Sequence, residues 1–275
     1  MTVSTMQLAQ IHGARMGLID KGTGEPLVFI HGAGSFECHA VLQQSALTER
    51  FRLVHYHRRG YGESEPREGP TSLDLEAADC RAVLDYLGIE KAHFAAESSG
   101  GVVLLQFARD YPEMVNSMAL MEPALPDALN RSAEFNETMA RAGEAAERGD
   151  LQQAAHIFYE EVVCPHYREI MDPNLPAGWL DQMAREMDAV AKESDAMNEW
   201  QFTADDAAMI DRPVLNIVSS NPRPFMEEVY QTIQQWFPQA DNVMIPDSYH
   251  CILEGKPAES AALLADFFSR HPMRG

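Results

Sequence analysis

Short, continuous apolar runs alternate along the chain with longer segments of helical spacing. Because the apolar residues of each run are continuous, the runs are typical of strands buried on both faces, as in a parallel sheet. The predicted strands are PLVFIHG from Pro26, FRLVHYH from Phe51, HFAAES from His93, VNSMALMEP from Val115, PVLNIVSS from Pro213 and ADNVMIPD from Ala240. Helical segments between them predict right-handed crossovers and a doubly wound, mostly parallel sheet of the α/β class.

Helical periodicity is clearest over residues 72–88, 100–112 and 256–271. In the first of these segments, apolar residues such as Leu73 and Val83 recur at roughly helical spacing, so one face is expected to pack on the sheet. We therefore assign the three helices to the part of the chain that forms the sheet.

The alternation of strands and helices stops after Pro123 and resumes at Pro213, and the segment between them is helix-rich and acidic. We predict a core made of residues 1–123 and 209–275, with an inserted helical cap over residues 124–208. Ligands bind at the carboxyl ends of the strands in open α/β sheets, so helices inserted there would form a lid.

The charge balance is strongly acidic, since 21 Lys and Arg stand against 42 Asp and Glu in 275 residues, a net charge of −21. Nucleic-acid affinity comes from the neutralisation of phosphates, so this balance argues against nucleic acid and against anionic membrane surfaces as partners. No apolar stretch approaches the ~18 residues of a membrane span, and the N-terminus lacks a signal-peptide pattern. We therefore expect a cytoplasmic protein.

The four cysteines, at positions 38, 80, 164 and 251, are scattered without a CxxC pair. This spacing predicts neither a zinc site nor a disulfide framework. We expect no metal, no cofactor and a small-molecule partner, with the chain acting as a monomer or homodimer.

Residues 93–101, HFAAESSGG, form an apolar run that leads into a turn of small residues and then a helix. A G-x-S-x-G elbow holds its serine in a tight, strained turn, and small residues flank that serine because strand and helix approach closely. Here Ala96 replaces the first glycine, and Ser98 is the candidate nucleophile. The alternatives are a serine that only caps the helix, and a register with Ser99 as nucleophile, which puts Glu97 at a small-residue position.

Two other segments end predicted strands with residues suited to acyl transfer. In HGAG, residues 31–34, the amide of Ala33 is a candidate oxyanion donor together with the amide of Ser99; a simple glycine turn is the alternative. In PDSYHCILEGKP, His250 follows the last predicted strand and is the candidate general base, although a lone histidine there is otherwise structural.

With these three segments in place, the chain resembles the α/β-hydrolase family from about Gln7 to Pro272. The matching pieces are HGAG, HYHRRGYGESEP, AESSGG and SYHCILEGKP, each at the end of a predicted strand. The second piece is similar to the family's Asp-Arg-Arg-Gly-Tyr-Gly-x-Ser turn, with His57 where Asp is common. The resemblance implies a serine hydrolase with a catalytic triad and a helical cap.

The acid of the triad is expected at an unusual position. The family usually carries it after the strand PVLNIVSS, but residues 219–224 hold no carboxylate. Glu122 ends the strand that follows the nucleophile's helix, where an unpaired buried carboxylate would be costly. The turn MEPALP resembles that of haloalkane dehalogenases and a zearalenone-lactonase-like group, which take their acid from this strand. Glu122 is the preferred acid; Asp247, or a structural pairing of Glu122, is the alternative.

Three charged side chains near these motifs have both a structural and a functional interpretation. Glu97 is expected to leave the elbow and find a hydrogen-bond partner, the alternative being a pH-sensitive group beside the nucleophile. Arg58 and Arg59 match the family turn and are expected to brace loops rather than to bind a carboxylate.

The substrate-binding surface is expected to combine core and cap residues. Gly32 and Gly34 flank an oxyanion donor, Met121 precedes the candidate acid, and Trp179 belongs to the cap. Other aromatic residues and methionines of the cap line an apolar pocket or form the cap's own core. These residues are Met139, Phe158, Tyr159, Met183, Met187, Met197 and Trp200.

Together these observations predict a hydrolase of carboxylic esters or lactones with a small, largely apolar substrate, acting through an acyl-enzyme on Ser98. Carbon–carbon hydrolases, perhydrolases, hydroxynitrile lyases and cofactor-free dioxygenases of this fold keep a serine and a histidine, so they remain alternatives. A non-catalytic ligand-binding member is the alternative from a different class.

Overall fold

The computed structural model describes residues 6–273 and is built on one eight-stranded sheet. The strands are β1 (Gln7–Ile11), β2 (Ala14–Lys21), β3 (Glu25–Ile30), β4 (Phe51–Tyr56), β5 (Ala92–Glu97), β6 (Val115–Met121), β7 (Val214–Ser219) and β8 (Asp241–Ile245). Their order across the sheet is β1-β2-β4-β3-β5-β6-β7-β8, and only β1–β2 and β2–β4 pair antiparallel among the described strands. The predicted α/β fold with a mostly parallel sheet is confirmed, and β3 to β8 are the six strands that the apolar runs predict.

The α-helices of the described chain pack around this sheet and over its edge. They are α1 (Ser45–Thr48), α2 (Leu73–Leu87), α3 (Ser99–Asp110), α4 (Pro126–Arg131), α5 (Ala133–Glu147), α6 (Leu151–Val162), α7 (Tyr167–Met171), α8 (Trp179–Glu199), α9 (Ala204–Ala208), α10 (Pro224–Trp236), α11 (Ile252–Gly255) and α12 (Pro257–Arg270). Helices α4 to α9 lie between β6 and β7 in the chain, and we call residues 124–208 the insertion.

The antiparallel hairpin of β1 and β2 is absent from the sequence prediction. Its turn consists of His12 and Gly13, both with positive φ, which matches the right-handed twist of a tight hairpin. In β1, buried and exposed residues alternate along most of the strand, so only one face is covered. A search for continuous apolar runs misses such a strand, because its signal is the alternation itself.

Apolar side chains form two clusters on the faces of the sheet and a third in the insertion. Phe94 and Ala95, successive residues of β5, belong to different sheet clusters, as expected for a strand covered on both faces. The third cluster contains Tyr159 of α6 together with Ala33 and Phe36, which follow β3. The insertion therefore packs directly on the loop that carries a candidate oxyanion donor.

Three general properties of residues 6–273 bear on function. No helix in this range is both long enough and apolar enough to cross a lipid bilayer. The four cysteines are buried and unpaired. Within the same range, no group of three or more His, Cys, Asp or Glu side chains is arranged to hold a metal ion.

The turn between β5 and α3 is closely packed on two sides. Ser98 has φ 53° and ψ −130°, a strained backbone conformation for a residue with a side chain. A Cβ added at Gly100 would lie 2.5 Å from the carbonyl oxygens of Ile30 and His31, which end β3. A Cβ at Gly101 would lie 2.7 Å from Cβ of Pro123, just after β6. A side chain at either position would clash with these atoms, so glycine is required at both.

Gly100→Ala is expected to lower the free energy of unfolding by about 1–3 kcal/mol or more, because the added methyl meets backbone oxygens that cannot rotate away. Gly143→Ala is the matched control, since nothing lies within 4 Å of its added Cβ and it is an exposed residue of α5. There, we expect a gain of about 0.5–1 kcal/mol. Urea unfolding of both variants measures the difference, and equal stabilities would contradict the close packing of the elbow.

Candidate active site

His250 and Glu122 form a buried pair. His250 Nδ1 donates to Glu122 Oε2 at 2.7 Å, and both side chains are at most 2% exposed. Glu122 comes directly after β6 and His250 lies between β8 and α11, so two strand ends meet here. Asp247 is exposed, and no hydrogen bond joins it to His250 within the described chain. Of the two candidate acids, the geometry brings Glu122 to the histidine.

The Glu122 carboxylate is held in its charged form by directed hydrogen bonds. Its second oxygen accepts from Ser219 N at 2.8 Å and from Ser219 Oγ at 2.6 Å. Burial alone would raise the pKa of Glu122, but the bonds from His250 and Ser219 outweigh it and the pKa is lowered. A charged Glu122 keeps the proton of a neutral His250 on Nδ1, so Nε2 is the nitrogen that can act as a base.

Ser98 is tied to this pair through the backbone. Its amide donates to the carbonyl of Met121 at 3.1 Å, and its own carbonyl accepts from Ala124 N at 3.0 Å. Met121 precedes Glu122 and Ala124 follows it, so the backbone of Ser98 is hydrogen-bonded to the chain before and after Glu122. No hydrogen bond joins Ser98 Oγ to His250 among residues 6–273. Catalytic hydrogen bonds of this kind often tighten only when substrate is bound.

The backbone amides of Ala33 and Ser99 are suited to bind an oxyanion. Neither donates to a protein acceptor within residues 6–273, and Ser99 N belongs to the first turn of α3, where helix amides lack intrahelical partners. Ala33, Ser98 and Ser99 all line one cavity. An amide pair beside a serine at such a cavity can stabilise charge on a reacting carbonyl oxygen.

That cavity has a volume of about 340 Å³ and lies between the elbow and the insertion. His250 and Glu122 are buried and are not part of its wall. The walls are mostly apolar, with two carboxylates, Glu193 and Asp195, and no Lys, Arg or His among the lining residues. Four aromatic and methionine residues named from the sequence, Met139, Phe158, Met187 and Met197, line it.

The four predicted substrate-binding residues do not line this cavity. Trp179 is buried in the insertion's own cluster, packs on Phe36 and donates from its indole nitrogen to Asp172 at 2.8 Å. Met121 is buried in the sheet and belongs to the same apolar cluster as Ala95. Neither residue therefore lines this cavity, and a contact of either with substrate stays a prediction.

Gly32 and Gly34 are required by the close packing of the loop after β3. A Cβ at Gly32 would lie 2.9 Å from Cβ of Ser98, and its amide donates to Glu37. A Cβ at Gly34 would lie 2.5 Å from the ring of Phe36. Both glycines allow the β3 loop to pass close to its neighbours, and their contact with substrate stays a prediction.

Glu97 joins the elbow to the histidine loop. Its carboxyl accepts from the amides of Ile252 at 2.5 Å and Leu253 at 3.4 Å, so its side chain does find hydrogen-bond partners away from Ser98. Because Ile252 is two residues after His250, this contact connects the residues that flank the candidate nucleophile and base.

Two further buried glutamates, Glu37 and Glu254, lie near Glu97. Burial, followed by repulsion from Glu254, raises the pKa values of Glu37 and Glu97. Burial likewise raises the pKa of Glu254, whose Oε2 has no hydrogen-bond partner. All three shifts favour the protonated forms, because charging three neighbouring carboxyls in a low dielectric is costly.

The turn after β4 is braced by its charged and polar residues. His57 accepts a bond from Glu63 N at 3.0 Å, and burial lowers its pKa to about 3, so it is neutral. Arg59 binds both carboxylate oxygens of Asp79, at 2.7 and 3.0 Å. These contacts fit the expectation that the turn is held by internal bonds.

Glu97→Gln is expected to reduce the loss of folding stability that accompanies a rise in pH. The pKa of Glu97 is raised in the folded state, so its contribution is fully present below the ordinary value of 4.5 and is lost as pH rises through the raised value. Gln keeps an acceptor for Ile252 N but does not titrate. The melting-temperature difference, variant minus wild type, should become more positive from pH 4 to pH 9.

Glu90→Gln is the control for this measurement, because Glu90 is exposed on the loop before β5. Its melting-temperature difference should stay constant over the same pH range. A Glu97→Gln difference that is also constant with pH would contradict the raised pKa of Glu97.

Comparison with known proteins agrees with this architecture. A family model described as alpha/beta hydrolase fold matches residues 25–257. The dihydrolipoyllysine-residue acetyltransferase component of the acetoin cleaving system of Cupriavidus necator is 36% identical over 126 residues, 45% of this chain and 34% of that protein. Its counterpart in Pseudomonas putida is 34% identical over 127 residues, with the same coverage. The match thus spans about a third of the length of these curated relatives.

Solved structures with the same fold cover almost the whole chain. A thermophilic esterase from Thermogutta terrifontis has a TM-score of 0.77 at 19% identity, covering 98% of this chain and 100% of its own. An enol-lactonase from Burkholderia xenovorans has a TM-score of 0.76 at 19% identity, covering 96% and 100%. These likenesses show the fold, and the family model covers most of the chain. The protein is a member of the α/β-hydrolase family.

Proposed function

We propose that the protein hydrolyses carboxylic esters or lactones through an acyl-enzyme formed on Ser98. The observation that carries the proposal is the buried His250–Glu122 pair, whose acid is flanked by residues bonded to the backbone of a strained serine that lines a cavity. An imidazole whose Nδ1 is bonded to a charged carboxylate is a general base at Nε2. The esterase and the lactonase among the similar structures support this class of chemistry.

In the proposed reaction, His250 Nε2 takes the hydroxyl proton of Ser98 while Oγ attacks the carbonyl carbon of the substrate. Glu122 stabilises the imidazolium, and the amides of Ala33 and Ser99 donate to the oxyanion of the tetrahedral intermediate. The intermediate collapses as His250 gives the proton to the leaving alcohol oxygen. A water molecule, deprotonated by the same histidine, then releases the acid and restores Ser98.

The cavity supports a small, largely apolar substrate without a negative charge. Its volume of about 340 Å³ is at the lower end of ligand pockets, which range over ≈ 300–1,000 Å³. Glu193 is paired with Arg58, so Asp195 is the lining carboxylate that would repel a free carboxylate on the acyl group. The insertion provides most of the wall, in keeping with the lid role proposed for residues 124–208.

Ser98→Ala should lower kcat for a short p-nitrophenyl ester by about 10³-fold or more, because the attacking oxygen is removed. Ser99→Ala is the matched control and tests the alternative register, since it keeps the backbone amide and removes a hydroxyl that is bonded to Arg58 and Glu193. We expect it to retain activity far above that of Ser98→Ala. If Ser98→Ala hydrolyses the ester at the wild-type rate, the proposal fails.

Glu122→Gln should lower kcat by about 10²–10⁴-fold, because an amide does not stabilise the imidazolium and favours the wrong tautomer. Asp247→Asn, at an exposed residue of the neighbouring loop, should keep most of the activity. Steady-state kinetics of the two variants decides between them. Near-normal hydrolysis by Glu122→Gln would assign the acid elsewhere.

A further inference from the structure

Arg58 is almost fully buried and bonds to both segments that carry the oxyanion donors. Its Nη2 donates to the carbonyl oxygen of Gly32 at 2.6 Å and to Ser99 Oγ at 3.3 Å. The side chain is 1% exposed and packs over the ring of Tyr61. A single guanidinium therefore contacts the peptide before Ala33 and the residue after the candidate nucleophile.

His31 holds the same carbonyl from a second direction. Its Nε2 accepts the backbone amide of Arg58 at 3.0 Å, so the ring proton is on Nδ1. That nitrogen lies 2.8 Å from the oxygen of Gly32 and donates to it. Burial, reinforced by Arg58, lowers the pKa of His31, which keeps the ring neutral and this tautomer in place.

The geometry of the peptide unit converts this anchoring into an orientation of the Ala33 amide. The Gly32–Ala33 bond is trans, so its carbonyl and its N–H point in opposite directions. When Arg58 and His31 fix the carbonyl on one side, the N–H is fixed on the other. A charge-assisted bond to the carbonyl also polarises the peptide, and hydrogen bonds in a chain strengthen one another.

Arg58 is itself fixed by the insertion. Its Nη1 is paired with Oε1 of Glu193, a residue of α8 that lines the cavity. Glu193 Oε2 accepts from Tyr61 OH at 2.6 Å and from Ser99 Oγ at 3.1 Å. Burial alone would lower the pKa of Arg58, but Glu193 and nearby Glu76 raise it, so the guanidinium stays charged.

We propose that Arg58, held by Glu193, is a positioning residue that aims the Ala33 amide at the reacting oxygen and so couples docking of the insertion to assembly of the oxyanion hole. The inference rests on the proposed ester or lactone hydrolysis. Lysine cannot replace arginine here, because one ammonium group lacks the planar fork that reaches Glu193, Gly32 and Ser99 together.

The test compares Arg58→Lys with Arg59→Lys in the full chain. Arg59 is the adjacent residue and pairs with Asp79 through two bonds, and it is not part of the cavity wall. With a short p-nitrophenyl ester, Arg58→Lys should lower kcat about 10-fold or more with little change in KM, since an oxyanion donor acts mainly in the transition state. The affinity for a short alkylboronic acid should fall in parallel. Equal kcat losses in the two variants would overturn the proposal.

A second pair of variants tests the link to the insertion and remains informative if Arg58→Lys fails to fold. Glu193→Gln removes the charge that holds Arg58, whereas Glu186→Gln, two helical turns earlier in α8, weakens bonds to Ser35 and Gly62 instead. We expect comparable losses of melting temperature and a larger loss of kcat in Glu193→Gln. Equal kcat losses would mean that Glu193 only docks the helix.

A readout that needs no turnover separates this inference from the proposed function. If the wild type hydrolyses no ester or lactone, the proposed function fails, and the amide ¹H–¹⁵N resonance of Ala33 then tests the positioning. It should shift in Arg58→Lys and stay in place in Arg59→Lys. An unchanged Ala33 resonance in Arg58→Lys would overturn the role of Arg58.

Discussion

The arrangement of the candidate site depends on the space around the turn between β5 and α3. Ser98 is held in a strained conformation. Gly100 and Gly101, in the first turn of α3, have no side chains and so allow the chain at the ends of β3 and β6 to pack against the helix. The β3 side brings the Gly32–Ala33 peptide, and the β6 side brings Glu122. Close packing at this one turn thus places the candidate nucleophile, one oxyanion donor and the acid together at the same edge of the sheet.

The buried carboxyls around this edge are compensated in three different ways. Glu122 is stabilised as an anion by His250 and Ser219, whereas Glu193 is paired with Arg58 and accepts a hydrogen bond from Tyr61. Glu97 and its neighbouring glutamates instead have raised pKa values, because burial disfavours their charged forms. An isolated buried charge is costly, so each carboxyl needs partners or a raised pKa. Glu122 and Glu193 have partners and are suited to support chemistry, whereas the glutamates around Glu97 connect loops. The net charge of −21 does not reveal this division.

Features that depend on local sterics and on strand order could be predicted from the sequence. The six apolar strands, the elbow and the placement of Glu122 opposite His250 follow from short segments and from the edge at which parallel strands end. Side-chain direction could not be predicted, since Trp179 and Met121 turn into apolar clusters that form only on folding. The contact of Arg58 with Glu193 joins residues 135 positions apart and has no local signal.

We propose Ser98 as the nucleophile, activated by His250 and Glu122. The most direct measurement is the site of covalent attachment of a fluorophosphonate probe, mapped by mass spectrometry of peptides from the intact protein. We expect one adduct, on the side chain of Ser98, and its loss in His250→Ala. An adduct on Ser99, an adduct elsewhere, or no adduct at all would contradict it.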